Sequence, residues 1–170
     1  MIGIDEARET IEAAERFGFS GADFLARLGA ARVAVACNGI GPEDMPDEWR
    51  RKLDRWLVLF RDPCREHDCR FTYDNDGTEA KFRAANDELR RNCLIMADAA
   101  YKWWDPMRYI WRHRGRVVAW ACQEFGWDSW RRAYDRAKAQ GIAPCNGQFP
   151  AGAGNAGELG WIRPRGYINN

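Results

Sequence analysis

A chain of 170 residues, 46% of them hydrophobic, can enclose one core of average size, which excludes global disorder. Its 26 basic and 25 acidic residues leave a net charge of +1, which gives no overall field to hold DNA or RNA. No apolar run is long enough to span a bilayer, and the N-terminus lacks the basic start and apolar stretch of a signal peptide, so a soluble product made in the cytoplasm is expected.

Helical periodicity dominates, β-strand signals are sparse, and the expected fold is all-α. Residues 5–17 and 21–29 read as a helical pair, with Ser20 as the cap of the second. The stretch 36–46, "ACNGIGPEDMP", carries two glycines and two prolines and reads as a loop. From Asp47 to about Tyr73 the apolar stripe Trp49, Leu53, Trp56, Phe60, Cys64, His67 and Phe71 predicts one long helix. "DNDGT" (74–78) is a turn with Thr78 as N-cap, and a second long helix follows to about Trp104, its inner face carrying Phe82, Leu89, Cys93 and Met96. Pro106 marks a break, a short helix follows, and a third long helix runs from Arg116 to about Ala139. The tail, 141–170, is rich in glycine and proline and is expected to be irregular or to dock onto a partner.

The chemistry gathers near "DPCREHDCRF" (62–71), which holds one of only two histidines. Cys64, His67, Cys69 and Cys93 have the ligand types of a zinc site, although Cys69 points away from the face shared by Cys64 and His67. A histidine buried silently between two helices is the plain alternative. Three other features accompany it. The "CNGIGP" loop (37–42) can turn backbone carbonyls inward without steric cost, and Asp68 offers a carboxylate; a hard cation such as Ca²⁺ takes both. Asp87, on the facing helix, is a candidate to hold the far nitrogen of the imidazole, the arrangement of a base and its orienting acid.

An N-G-x-G loop, then P-C-x-x-H-D, then an aspartate on the next helix resembles the phospholipase A2 superfamily, and within it the bacterial, fungal and phage-borne branches. "WACQEFGWDSW" (120–130) is similar to the closing helix of bacterial members, and the likeness covers about 37–130. The resemblance implies antiparallel long helices carrying a His/Asp dyad beside a calcium loop. It implies that His67 is the base that takes a proton from water and that Asp87 orients it, with Glu88 and Asp98 as alternatives. Ca²⁺ is the implied cofactor, bound by Asp68 and by the carbonyls of Cys37, Gly39 and Gly41; a Cys37–Cys64 bridge would tie the loop to the helix. The implied reaction is cleavage of a fatty-acyl ester at a phospholipid membrane surface.

The chain departs from that pattern. "HDxCY" reads "HDCRF", so Phe71 lacks a supporting hydroxyl that Tyr73 would have to replace, and Arg90 stands where an apolar neighbour is usual. Nine tryptophans are many for this length and hint at lipid contact. The expected organisation is a single domain over 1–170: an N-terminal helical extension (1–30), the core (37–130) and the tail (141–170). Both ends are candidates for docking in a virion or secretion particle, and a phage or prophage setting fits the motifs. The rival from another class is a non-catalytic structural or interaction protein on the same fold.

Overall fold

A computed structural model describes residues 2–37 and 45–139, and every regular element among them is helical. The elements are α1 (Ile4–Phe17), α2 (Ala22–Leu28), α3 (Ala30–Ala36), α4 (Asp47–Trp56), a single 3₁₀ turn (Val58–Phe60), α5 (Arg61–Tyr73), α6 (Glu79–Ala100), α7 (Pro106–Phe125) and α8 (Trp127–Ala139).

Local chemistry sets the boundaries. The backbone N–H of Gly3 donates to Glu6 at the start of α1, and Gly18 ends that helix at φ 69°, a left-handed conformation that favours glycine. Thr78 caps α6 by accepting the N–H of Lys81 at 3.3 Å, a contribution of about 1 kcal/mol. The preceding turn is locked from within: Asn75 accepts from Gly77 N–H at 2.9 Å and Asp76 from Thr78 N–H at 2.9 Å. Asn75 also donates to the Trp130 carbonyl at 2.8 Å, which fastens the turn to α8.

Three expectations for the elements are corrected. The helix expected over 47–73 breaks at Leu57. There the backbone tightens into the 3₁₀ turn, and both Leu57 and Phe60 enter the core at 1% exposure or less. Each such burial contributes about 1.5–3 kcal/mol, more than the few backbone bonds that a continuous helix would add. Pro63 then sits in the first turn of α5, where its missing N–H costs nothing. The break before Pro106 stands, but the short helix after it and the first part of the helix expected over 116–139 are one element: Asp105 caps α7 by accepting from Met107 N–H at 2.8 Å, α7 runs unbroken to Phe125, and α8 starts afresh at Trp127. Ser20 is not a cap; its N–H donates to Asn92 on α6 at 3.2 Å.

α5 is the central element. On one side it closes a core with α1, α2 and α3 built from Ala7, Ala14, Phe24, Leu25, Val33, Cys37, Cys69 and Tyr73. On another side Phe60 and Cys64 pack with Leu89, Cys93, Ala97, Trp111 and Ala119 of α6 and α7. A third cluster, Phe82, Ala85 and Trp130 with Phe71 against it, fixes α8. Ala7 and Ala14 of α1 and Phe24, Leu25 and Leu28 of α2 are buried in the first of these clusters.

Both long hairpins are antiparallel. Phe71 meets Phe82 while His67 meets Asn86, and Asn86 meets Gln123 while Asp98 meets Arg112. α6 and α7 approach closely at Gly115, where a Cβ would lie 2.8 Å from that of Cys93. A glycine is needed there for the contact rather than for backbone conformation.

Candidate functional site

α5 turns His67 toward α6, where its Nε2 lies 2.8 Å from Oδ1 of Asn86. Asn86 is 3% exposed, and its amide nitrogen donates to Gln123 Oε1 on α7 at 3.3 Å. That second bond sets the amide so that Oδ1 accepts from the ring, which places the imidazole proton on Nε2 and leaves Nδ1 as an acceptor. Phe71, one turn further on α5, covers the ring at a centroid distance of 4.5 Å. Burial pushes the His67 pKa down to about 4, and the bond to Asn86 only partly offsets it. The ring is neutral at pH 7.

Asp87 does not orient His67. Its side chain is 60% exposed and pairs with Arg90 at 3.5 Å. The reason is helical phase: Asn86 lies four residues after Phe82 and three before Leu89, on the buried stripe, and one step of about 100° carries Asp87 outward. The alternatives are engaged elsewhere. Glu88 takes both arms of Arg70 at 2.7 and 3.0 Å. Asp98 sits against Arg108 and Arg112 three turns along α6, and the Arg108 hydrogen bond holds its carboxyl below the usual range. The residues that position the imidazole, Asn86 and Gln123, are ones that a search for charged partners passes over. Their only sequence signal is the spacing of Asn86 within the apolar stripe. The Tyr73 hydroxyl donates to the Arg32 carbonyl at 3.3 Å, on the α3 side of α5, and Phe71 alone flanks the ring in its place.

Gly39 and Gly41 lie outside the described residues. Cys37, the last residue described before them, is fully buried at the end of α3, and its thiol donates to the Arg65 carbonyl at 3.5 Å. It also shares a hydrogen bond with Cys69, which raises the Cys69 pKa ahead of the contribution from burial. The Cys37–Cys64 bridge is thereby corrected: Arg65 and Cys69, four residues apart, face α3, whereas Cys64 faces Cys93 and Cys122 on the other side of α5. All five of these cysteines carry free thiols.

The same separation removes the zinc reading, since Cys69 belongs to a different cluster from Cys64 and Cys93. Among the described residues no three His, Cys, Asp or Glu side chains converge as metal ligands. Burial pushes the Cys64 thiol well up and that of Cys122 to about 12. Asp68 lies half-buried on α5 next to His67, and Cys37, at the end of α3, packs against the same helix.

Comparison with known protein families, curated proteins and solved structures returns no match to this chain.

Proposed function

We propose that the chain is a calcium-dependent hydrolase of the phospholipase A2 type, which cleaves a fatty-acyl ester of a phospholipid with water activated at His67. The observation that carries this reading is the 2.8 Å contact of His67 Nε2 with Asn86, made between antiparallel helices with Asp68 next in sequence. With Nε2–H donating to Asn86, Nδ1 is free to accept a proton from water, and burial keeps the ring in the neutral form a base requires. Gln123 holds the Asn86 amide in place and Phe71 covers the ring, so that orientation is set before substrate arrives. Asp68 with the carbonyls of Cys37, Gly39 and Gly41 would hold Ca²⁺, which supplies Lewis-acid stabilisation of the oxyanion.

Asn86 also favours a second reading. A neutral amide orients the imidazole but gives no charge to the imidazolium formed on proton transfer, so the same geometry suits a non-catalytic structural protein on this scaffold. Fatty-acid release from mixed phospholipid vesicles, with Ca²⁺ and then with chelator, separates the two. Ca²⁺-dependent release that is lost in His67→Gln is expected. No release by the folded native protein with Ca²⁺ would leave the structural reading.

A further inference from the structure

The end of the α6–α7 hairpin carries a surface that the candidate site does not use. Trp103, Trp104, Met107, Tyr109 and Ile110 fall within eight residues, and all are exposed, Trp103 at 69% and Tyr109 at 61%. The two indoles meet edge to face at 5.5 Å, and the Tyr109 hydroxyl donates to the Trp103 carbonyl at 3.3 Å, so the turn is built rather than loose. Isolated exposed apolar side chains are ordinary in a folded protein; a contiguous aromatic group of this size marks a contact surface.

Charge decides the kind of contact. Lys102 lies over the Trp104 ring at 5.2 Å. Arg108, Arg112 and Arg116 follow at four-residue spacing on α7, and with Tyr109 they line a shallow cleft of about 420 Å³. Asp98 is shared by Arg108 and Arg112, and Arg116 has no ion pair among the described residues. Lys102, Arg108, Arg112 and Arg116 outnumber Asp98 and Asp105 at this end, which leaves a local surplus of positive charge in a chain whose net charge is only +1. A second copy of the chain is a poor occupant, because a two-fold contact would set these arginines against themselves. Tryptophans beside arginines match the boundary of a bilayer, where indole rings settle at headgroup depth and cations meet anionic phosphate.

We infer that this hairpin end is a membrane-docking surface, with Trp103 and Trp104 entering the interface and the Arg108–Arg112–Arg116 cleft taking the phosphates of anionic lipids. Fourteen helical residues separate Asn86 from Tyr101, a rise of about 22 Å, so the surface is distinct from the His67 site and stands whether or not His67 acts on an ester.

The test uses the intact chain in chelator, which keeps calcium chemistry out of the result. Binding is measured by co-sedimentation with vesicles of phosphatidylcholine alone or mixed with phosphatidylglycerol, together with quenching of tryptophan emission by brominated acyl chains. The native protein should prefer the mixed vesicles. A Trp103→Ala/Trp104→Ala variant with unchanged helical circular dichroism should lose at least about tenfold in partitioning and most of the quenching. Arg116→Gln should lose about fivefold on mixed vesicles only. The inference is overturned if native protein binds neither vesicle, or if the double tryptophan variant binds as tightly as native. It is equally overturned if the native chain forms a concentration-dependent dimer that the double variant abolishes.

Discussion

Glu66 and His67 are consecutive on α5, and each is held by an asparagine of α6, Glu66 by Asn92 and His67 by Asn86. One is an acid pushed up to about pH 8, the other a base pushed down to about pH 4, and burial is the leading cause of both shifts. Glu66 is 1% exposed above Gly21, where any Cβ would collide with its Oε1, and that oxygen has no hydrogen-bond partner among the described residues. His67 keeps one nitrogen unused. The pair shows that a neutral amide partner fixes geometry without restoring charge. Asn92, which also accepts from Ser20 N–H, ties the segment before α2 to α6, whereas Asn86 donates on to Gln123 of α7.

The largest effect is expected from removing the reactive atom. His67→Gln can keep a bond to Asn86 but cannot take a proton, and fatty-acid release should fall by about a thousandfold under saturating Ca²⁺. Ca²⁺ affinity by calorimetry should stay near native, because the imidazole is not a ligand in this scheme. Release at the native rate would remove His67 from the chemistry.

Stability against pH tests the contrast directly. The folded pKa of Glu66 lies above its ordinary 4.5, so its contribution is full below pH 4.5 and is lost as pH rises through about 8. The loss is at most about 5 kcal/mol. The folded pKa of His67 lies below its ordinary 6.5, so its contribution is present above that value and is lost as pH falls through about 4, at most about 3 kcal/mol. The slopes oppose each other between pH 4.5 and 6.5 and stand alone outside that window. Urea midpoints measured from acid to alkaline pH should show Glu66→Gln flattening the alkaline decline and His67→Gln flattening the acid one. If either variant kept its native decline, the corresponding group would not be the one titrating.

Giving the base a counter-ion should sharpen the contrast further. Asn86→Asp sets a carboxylate on Nε2, favours imidazolium and raises the His67 pKa, so the acid limb of the rate profile should move upward from about pH 4. At pH 8 the rate should rise about tenfold, because the imidazolium formed on proton transfer gains a partner. A rate unchanged at every pH would show that Asn86 fills space without positioning the ring.

Much of this arrangement could be read from residue pattern. The Thr78 cap, the 74–78 turn and the antiparallel helices it joins follow from turn chemistry and apolar stripes. His67 stood out because it is rare and lies on such a stripe. Asn86 did not, because an amide carries no charge and the search for a base's partner favours carboxylates. The break at Leu57 was hidden for a related reason: the apolar spacing continues across it, and only Pro63 betrays a new helix start. Pro106 marks the break after α6 and is also the first residue of α7, since a proline preceded by aspartate begins a helix as readily as it ends one. Cys37 facing Cys69 rather than Cys64 depends on the side from which α3 approaches α5, which no local pattern records.

The smallest effect belongs to the residue that sequence likeness put forward to orient His67. Asp87 follows Asn86 directly, yet its carboxylate points outward to Arg90 at 3.5 Å with more than half of each side chain exposed. An exposed pair of this kind contributes little, because solvent screens it and two long side chains must be ordered to make it. Asp87→Asn should therefore change stability by no more than about 0.5 kcal/mol and the hydrolysis rate by less than about twofold. Paired with Asn86→Asp, it is a direct test of helical phase: adjacent positions exchange the same two side chains, and only the one on the buried stripe should alter the pH profile. A large rate loss in Asp87→Asn, with the acid limb displaced, would mean that this segment of α6 turns by one residue in the working protein and that Asp87 reaches the imidazole after all.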